Sequence, residues 1–382
     1  MTEIRVQGDY TAFAVSAVSG NLIAELPGLV YDSLPARLME ESSATFTLPL
    51  QLAPANWLDA TAPYAVCLVV CHAQSLAPVW GGVVVKRART LGAATVQLTA
   101  ATCEHYLKTT YVLDETFTQT SQTLIAGKTA YDAYHGGRWN ALFKIDASET
   151  LRDRTYLESS DHTTLEILTD LTNVIGGPEF AYEWMRGTTA NETATVLGDE
   201  FTATSGMFVP VLHVADRLGA GLSPSVVFRE NTVASFALTE DWSEGKGASN
   251  VFCSSTAEGD TRLESGWVAD YTDPARPYIA YKFSGSDGVT TVDTLRAAAT
   301  AKLNQLKQGT TTLSLTVRDV DGYRPGLDYA LGDLIAWDFR GATPLGFPDW
   351  QRGTARLIGW TLKPLSATVD LELQSITKGG GL

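Results

Sequence analysis

A change of hydrophobic period within residues 291–373 constrains the fold most strongly. The segment begins with apolar residues spaced three or four apart, which places them on one face of an α-helix: Leu295, Ala299, Leu303 and Leu306. Asp293 stands where an N-terminal cap or a first-turn carboxylate belongs, and Gly309 follows as a stop. The pattern predicts an amphipathic helix that ends before Gly309.

After Gly309 the apolar period changes to two, which is typical of strands with one buried face. Four segments show this alternation around a Leu331-Gly332-Asp333 turn: Leu313, Leu315 and Val317; Ile335, Trp337 and Phe339; Ile358, Trp360 and Leu362; and Val369, Leu371 and Leu373. One-faced strands need a shared core, and a small antiparallel barrel or sandwich provides one economically.

Residues 1–108 also have the pattern of short strands separated by turns. Apolar and polar residues alternate over 45–52, and Pro49 within that run predicts an edge strand. Residues 64–71 are almost continuously apolar, as in a strand covered on both faces. Trp80-Gly81-Gly82 predicts a turn that opens the next strand, and residues 95–100 alternate again. This spacing predicts another barrel or sandwich.

Residues 109–205 combine helical and strand patterns. A weakly patterned helix is predicted over Thr120–His135, ending at Gly136-Gly137. A stronger helix begins with the capping-box pattern Thr163-x-x-Glu166 and ends at Gly176-Gly177-Pro178. Its predicted apolar face contains Leu165, Leu168, Thr172 and Ile175. The strand predicted next, Glu179–Arg186, has Phe180, Tyr182 and Trp184 on one face.

These patterns predict a mainly β fold class with an α+β insertion. The predicted domains are an N-terminal β-barrel over 1–108, an inserted α+β domain over 109–205, a connecting β and loop region over 206–290 with a short strand at Asn250–Cys253, and a helix plus C-terminal β-barrel over 291–382.

The composition excludes several classes of protein. Hydrophobic residues make up 45% and charged residues 19%, a globular balance that argues against disorder. A net charge of -15 without a Lys/Arg cluster argues against a nucleic-acid-binding surface. The N-terminal residues predict no signal peptide, and no apolar run predicts a membrane segment. Four irregularly spaced cysteines argue against a disulfide framework.

In the order of its elements the chain resembles bacteriophage tail hub proteins, also called baseplate hub or tail-associated minor tail proteins. The resemblance rests on the helix followed by the phrases Thr312–Val317 and Tyr329–Asp338, and on Gly176–Phe180 before the aromatic strand, a phrase similar to one in phages of actinobacteria. The N-terminal layout agrees at Leu26-Pro27, Phe46–Leu50, Trp80-Gly81-Gly82 and Tyr106-Leu107.

This resemblance implies a homotrimer with two barrels per chain, hence a ring of six barrels that closes the tail tube. It implies as partners a distal tail or tail tube protein above, a tape measure protein, and a tip or fibre protein below, with DNA passing through the lumen. It also implies a structural role without catalysis or cofactor, and a location at the virion's tail tip after assembly in the host cytoplasm.

Three groups of residues are candidates for a metal or catalytic site. Cys67, Cys71, His72, Cys103 and His105 lack the paired spacing of a zinc site, so buried free thiols are predicted and no metal. Asp319-x-Asp321-Gly322 begins like a calcium loop but lacks the later acidic ligand, which favours a turn. Glu179 and Glu183 beside Trp184, with Asp241-Trp242-Ser243-Glu244, suggest glycosidase carboxylates, although half-solvated strands show the same residues.

Other catalytic patterns are missing or incomplete. Leu218-Gly-Ala-Gly-Leu222 has no third glycine for a dinucleotide fingerprint, so a turn is predicted. Nothing around Cys103 or Cys253 sets up a thiolate nucleophile. The sequence thus predicts no catalytic residue and no cofactor site. Two alternatives to the hub stay open: a receptor- or carbohydrate-binding tail-tip protein with exposed Trp and Tyr, and a cell-wall hydrolase of the tail.

Overall fold

A computed structural model of the chain provides the structure. It describes residues 9–133, 139–174, 176–187, 192–196, 199–203, 208–219, 221, 223–255, 262–270, 275–284, 291–307, 309–339 and 351–378. The chain divides into two compact units: the first contains Met1–Ser235 and Leu315–Leu382, and the second contains Phe236–Ser314. The predicted division at residues 108, 205 and 290 stays a prediction.

The N-terminal part of the first unit forms a seven-stranded sheet in the order β2-β1-β6-β7-β8-β5-β3. Its elements are β1 (Tyr10–Ser16), β2 (Leu22–Glu25), β3 (Val30–Tyr31), β4 (Leu34–Arg37), β5 (Ser43–Pro49), α1 (Trp57–Ala60), β6 (Val66–His72), β7 (Pro78–Arg89), β8 (Thr95–Ala101) and α2 (Glu104–Lys108). Every residue of β6 is buried, which confirms the prediction of a strand covered on both faces.

Two predictions within this sheet are wrong. Trp80-Gly81-Gly82 lies inside β7 and is not a turn. These glycines provide space: a Cβ on Gly81 would lie 2.4 Å from the Trp184 ring, and one on Gly82 would lie 2.3 Å from the Ala101 carbonyl oxygen. The strand containing Pro49 is also not at the edge, because β3 pairs with Phe46 and Thr47. Pro49 is tolerated because it ends β5, beyond the residues that β3 pairs with.

The α+β part follows in the same unit. Its elements are β9 (Glu115–Ser121), α3 (Gln122–Ala133), β10 (Leu142–Ile145), β11 (Leu151–Tyr156), α4 (Thr164–Thr172), β12 (Glu179–Arg186), β13 (Glu192–Val196), β14 (Asp199–Ala203) and β15 (Phe208–Ala215). Strands β10, β15 and β12 form a sheet in that order, and β9 with β11 and β13 with β14 form two-stranded sheets. Two further strands, β16 (Val226–Arg229) and β17 (Val233–Asp241), follow.

The capping-box prediction for α4 is confirmed, because Thr163 Oγ1 accepts from the Glu166 N–H while Glu166 Oε2 accepts from the Thr163 N–H. The predicted apolar face is displaced around the helix. Leu168 is buried as predicted, but Ile167 and Leu171 share the core with it, while Leu165 is only half-buried. The predicted end of α3 at Gly136-Gly137, and Ile175 of α4, lie outside the described residues.

The second unit contains β18 (Asn250–Ser254), β19 (Glu264–Ala269), β20 (Ala280–Ser284) and α5 (Val292–Leu306). The strands form a sheet in the order β19-β18-β20. Helix α5 buries the four predicted side chains against Ala248, Val251 and Cys253 of its own unit. Thr291 is the N-cap, since its hydroxyl accepts from the Thr294 N–H, and Asp293 is a first-turn carboxylate.

The last strands are β21 (Thr310–Arg318), β22 (Leu334–Asp338), β23 (Arg352–Lys363) and β24 (Thr368–Lys378). The second seven-stranded sheet has the order β16-β22-β23-β24-β21-β17, and β4 also pairs with β23. Residues Leu34–Arg37 lie opposite Gly359–Leu362 in an antiparallel register. A strand from the N-terminal part thus completes the C-terminal sheet.

The prediction that Ile358 shares a face with Trp360 and Leu362 is wrong. The register of β23 against β24 shifts between Leu357 and Gly359, which marks a bulge. Before the bulge the buried apolar side chains are Ala355 and Leu357, and after it they are Trp360 and Leu362. Ile358 instead packs beside Leu38, Ala181 and Leu218. The extra residue reverses the side-chain alternation, which sequence periodicity alone does not show.

Candidate functional site

Arg356 of β23 is the centre of a buried polar junction. Its guanidinium forms a two-pronged ion pair with Glu179, the first residue of β12: Nη1 donates to Oε1 at 2.8 Å, and Nη2 donates to Oε2. Two backbone carbonyls accept further hydrogen bonds, from Nε to Gly332 O at 3.1 Å and from Nη2 to Leu218 O at 3.0 Å. The planar guanidinium therefore fixes three separate segments at once.

The backbone at this junction is packed so closely that two positions require glycine. Gly219 and Gly332 have φ values of +106° and +92°. A Cβ on Gly332 would lie 2.4 Å from Leu218 O, and one on Gly219 would lie 2.2 Å from Gly332 O. Because glycine has no side chain, the two turns can touch and their carbonyl groups can point towards Arg356. Leu218 and Gly219, from one predicted turn, thus meet Gly332, from the other; residues 220 and 222 of the first turn lie outside the described residues.

Further hydrogen bonds hold the same turns. Glu179 Oε2 also accepts from the Leu218 N–H at 2.8 Å. Asp333 Oδ2 accepts from Ser225 Oγ at 2.8 Å and from the Ala330 N–H at 3.0 Å. Because both oxygens of Glu179 accept hydrogen bonds from N–H groups, this carboxylate is an anchor within the fold. The arrangement suits an ion pair that holds neighbouring segments together better than a group that transfers protons.

The carboxylates and tryptophans considered for a glycosidase differ in their exposure and in their partners. Glu183 is exposed, whereas the Trp184 ring packs on the Gly81 backbone. Asp241 Oδ1 accepts hydrogen bonds from the Ser243 N–H at 2.9 Å and from Ser243 Oγ at 2.6 Å, which lower the pKa of Asp241. The Arg276 guanidinium covers the Trp242 ring at 3.9 Å.

A cleft of about 170 Å³ contains a second buried glutamate. Its lining includes Glu104, Trp80, Tyr182, Trp184 and Trp360. Glu104 Oε2 has no hydrogen-bond partner among the described residues. Burial raises the pKa of Glu104 to about 7, against hydrogen bonds from the Thr102 hydroxyl and from the backbone of Glu104 and Tyr182 that lower it. Burial therefore favours the protonated, neutral form of this carboxyl group.

A second polar cluster joins β1 and β6 to the loop that follows β21. Tyr10 OH donates to Asp319 Oδ2 at 2.7 Å, and the Tyr10 ring lies 4.9 Å from the His72 ring. His72 Nε2 lies 3.2 Å from Pro325 O. Burial raises the pKa of Asp319, although Tyr10 and Arg324 act to lower it. Burial lowers the pKa of His72, because it disfavours the charged form, and so favours the neutral imidazole.

The calcium-like sequence lies in this loop, and its two carboxylates face different partners. Asp319 is buried against Tyr10, whereas Asp321 is exposed and pairs with Arg324 at 3.1 Å. Arg324 also pairs with Asp9 at 3.0 Å. Asp321 and Gly322 form a turn, with φ +81° at the glycine, so the turn prediction is confirmed.

The cysteines are buried and free. Cys67, Cys71 and Cys103 belong to one apolar core, and burial raises the pKa of each, that of Cys71 to about 12. His105 lies apart, between Tyr64 OH at 2.6 Å and Glu41 Oε1 at 2.8 Å. Within the described ranges, no three His, Cys, Asp or Glu side chains converge as a metal ion requires.

Comparison with known proteins places this geometry in context. No protein-family model and no curated protein sequence matches the chain. The solved structure of the 43 kDa tail protein of prophage MuSo2 from Shewanella oneidensis matches with a TM-score of 0.54 at 11% identity, over 96% of this chain and 98% of that one. A tail protein from Neisseria meningitidis MC58 matches with a TM-score of 0.54 at 13% identity, over 96% of each chain.

The chain has a phage tail-protein fold. The predicted fold class, mainly β with an α+β insertion, is confirmed by the two seven-stranded sheets and the helical part between them. The fold also occurs in the Francisella PdpA–VgrG complex, which matches with a TM-score of 0.52 at 9% identity, over 98% of this chain and 58% of that one. None of the described helices has the length and hydrophobicity to span a bilayer.

Sequence reasoning missed the residues that hold this tail-protein fold together. Arg356 was not singled out, although a lone arginine in the apolar run Ala355–Ile358 is itself a sign of a buried ion pair. Glu179 is predicted as a glycosidase carboxylate or as a residue of a half-solvated strand, and not as the partner of a buried cation. Tyr10 and Glu104 carry no local signal, because their environments are formed by residues distant in the chain.

Proposed function

We propose that this protein is a structural component of a phage tail tip: a homotrimeric hub that closes the tail tube and acts without catalysis. The observation that carries the proposal is the pair of seven-stranded sheets in one chain, in a fold shared with prophage tail protein over nearly all of both chains. Three copies would present six of these seven-stranded sheets, a number that matches a six-fold tube on one side, while the three chains match a three-fold tip on the other.

The buried junction supports a structural role. Arg356 ties the C-terminal sheet to the α+β part through Glu179, and β4 ties the N-terminal part to the same strand β23. Such cross-links make the first unit resist separation of its parts. As partners we propose a distal tail or tail tube protein above, the tape measure protein, and a tip or fibre protein below.

The negative charge of -15 fits a passage for DNA. A lumen lined by carboxylates repels phosphates, so the genome slides through without binding. In an assembled ring, we expect a negative electrostatic potential along the lumen. A basic lumen in the structure of the assembly would contradict this part of the proposal.

The mass of the protein in solution tests the proposed trimer. Sedimentation velocity over increasing concentration should show a species of about 123 kDa, three times the chain mass of 41.1 kDa. Dimers or open-ended oligomers would argue against the ring. A chain that stays monomeric at the highest concentration, both alone and with its neighbouring tail protein, would remove the trimer from the proposal.

One observation favours a second candidate function, binding of a receptor or carbohydrate. On the face of the small sheet opposite α5, Phe252 and Trp267 lie 5.2 Å apart, and Trp267 and Tyr278 are 42% and 57% exposed. Exposed rings beside the Lys282 ammonium suit stacking against a sugar. Wild-type protein should then bind host cells or their glycans and Trp267→Ala should not; equal binding by both would exclude this surface.

A further inference from the structure

The turn between β7 and β8 carries an exposed basic and apolar tip. Leu91 at the tip is fully exposed, and Lys86 and Arg89 are exposed on the strand leading to it. Neither cation forms an ion pair with any residue that the structure describes, whereas Arg87 between them is anchored on Thr61 Oγ1 at 3.1 Å. We call Lys86, Arg89 and Leu91 the basic tip. Lys86 and Arg89 lie opposite Thr99 and Val96 in an unbroken register, so their side chains project from opposite faces of the hairpin that ends in Leu91.

A second surface of the same unit has the opposite character. Tyr111, Leu113 and Leu157 are 61%, 41% and 51% exposed. Their two segments are held together, because the Glu158 N–H donates to Asp114 Oδ1 at 2.7 Å and the Val112 N–H donates to His162 O at 3.2 Å.

Three exposed carboxylates border this surface: Asp114, Glu158 and Asp161. Within the described part of the chain, none of the three pairs with a cation. We call these six residues the acidic patch: Tyr111, Leu113, Asp114, Leu157, Glu158 and Asp161. The surrounding residues 109–205 contain 15 acidic and 6 basic side chains, a formal net charge of -9. A basic partner is therefore attracted before contact.

We infer that the basic tip of one copy docks on the acidic patch of the next copy. The inference rests on the proposed function and names the contact that would build its trimer. Leu91 would enter the apolar centre formed by Leu113 and Leu157, while Lys86 and Arg89 would meet the bordering carboxylates. Because the tip and the patch are different surfaces, the contact is head to tail, and such contacts close into rings when the rotation fits.

Charge reversal tests the pairing. Lys86→Glu with Arg89→Glu should weaken self-association at least about 10-fold in sedimentation velocity, since like charges then meet across the contact. Glu158→Lys with Asp161→Lys should weaken it similarly. Combining all four changes in one chain should restore association, because tip and patch are then complementary again. Far-ultraviolet circular dichroism confirms that each variant keeps its fold.

A matched control separates this pairing from net charge. Arg296→Glu with Arg318→Glu changes the total charge as the tip variant does, at two exposed arginines elsewhere. This control should leave association within about two-fold of wild type, as expected for charges outside the contact. Equal weakening by tip variant and control, or no rescue by the four-fold variant, would overturn the inference.

Cross-linking tests the geometry directly. A chain carrying both Leu91→Cys and Leu157→Cys, treated with a short bismaleimide, should give covalent dimers and trimers on a denaturing gel. The native cysteines are buried and their pKa values are raised, so the reagent is confined to the new thiols. The single variants should give no ladder.

Failure of this inference and failure of the proposed function have different signatures. Trimers that form normally in the charge variants, without a cross-linked ladder, would refute the head-to-tail contact and leave the hub intact. A wild-type chain that does not associate at any concentration, together with a Leu91→Cys and Leu157→Cys chain that gives no cross-linked ladder, would refute both.

Discussion

The Glu179 side chain is 16% exposed and Glu104 is buried in the first compact unit, and their surroundings are opposite. Glu179 receives the Arg356 guanidinium on both carboxylate oxygens and the Leu218 N–H on one of them. Glu104, only 3% exposed, has no cation in its hydrogen-bonding shell as described, and its Oε2 has no partner. One carboxylate is paired with a cation, whereas burial raises the pKa of the other to about 7.

The contrast shows that burial alone does not determine what a carboxylate does. A buried ion pair is costly to break because the remaining charge is stranded, whereas a buried lone carboxyl group is costly to ionise. The Arg356 junction should therefore depend on its pairing, and the Glu104 cleft should depend on pH. The predictions below test this distinction, starting with the largest effect.

Removing Arg356 should have the largest effect. Arg356→Ala leaves Glu179 without its cation and should lower the free energy of unfolding by about 3–5 kcal/mol. Urea denaturation followed by tryptophan fluorescence measures the change. The double variant Arg356→Met with Glu179→Leu serves as the control, since it removes both charges and should lose clearly less. A double variant as unstable as the single one would show that the charge pairing is not what matters.

Glu104 should make stability depend on pH. Its pKa is about 7 in the folded chain against an ordinary 4.5, so its contribution to stability is complete below 4.5 and is lost as pH rises through 7. The loss is about 3 kcal/mol in all, of which about 2 kcal/mol falls between about pH 5.5 and about pH 8.5. Glu104→Gln should flatten the unfolding free energy over that interval. A variant with the wild-type slope would contradict the assigned pKa.

The glycine contact beside Arg356 should matter more than glycine conformation by itself. Gly332→Ala forces a Cβ against Leu218 O at positive φ and should cost up to about 3 kcal/mol. Gly92→Ala also has positive φ, at +81°, but has open space around it, and should cost about 1 kcal/mol. Thermal unfolding of the two variants gives the comparison. Equal losses would mean that the close approach of the two turns contributes nothing.

The smallest effect is expected at an exposed ion pair of the same chemistry. Arg37 Nε donates to Glu372 Oε2 at 2.9 Å, but both side chains are about 40% exposed. Arg37→Ala should therefore cost less than about 1 kcal/mol, and added salt should reduce the cost further. Urea denaturation at low and high salt measures both. A loss as large as that of Arg356→Ala would remove burial as the explanation for the difference.

Local pattern predicted those parts of the fold that depend on neighbours in sequence. Helix α5 and its four buried residues follow from spacing, and the α4 capping box follows from Thr163 and Glu166. The bulge at Ile358 could not be predicted, because one extra residue reverses the strand's faces without altering its composition. Gly81 of β7 likewise depends on Trp184, which sequence does not place beside it.

The junction could be predicted only in pieces. The sequence predicts turns at Leu218 and at Gly332 and a strand that begins at Glu179, but Arg356, which unites them, lies 177 positions from Glu179. Periodicity assigns a side chain to a face and does not identify its partner across the molecule. The resemblance to tail hub proteins anticipated the tail-protein fold because it used the order of elements along the whole chain.

Electron microscopy of the purified protein at high concentration tests the central claim most directly. The hub account predicts three-fold rings with six similar lobes around an open centre, with a mass three times that of the chain. Compact single-chain particles without a hole, under the same conditions and in the presence of the neighbouring tail protein, would contradict it.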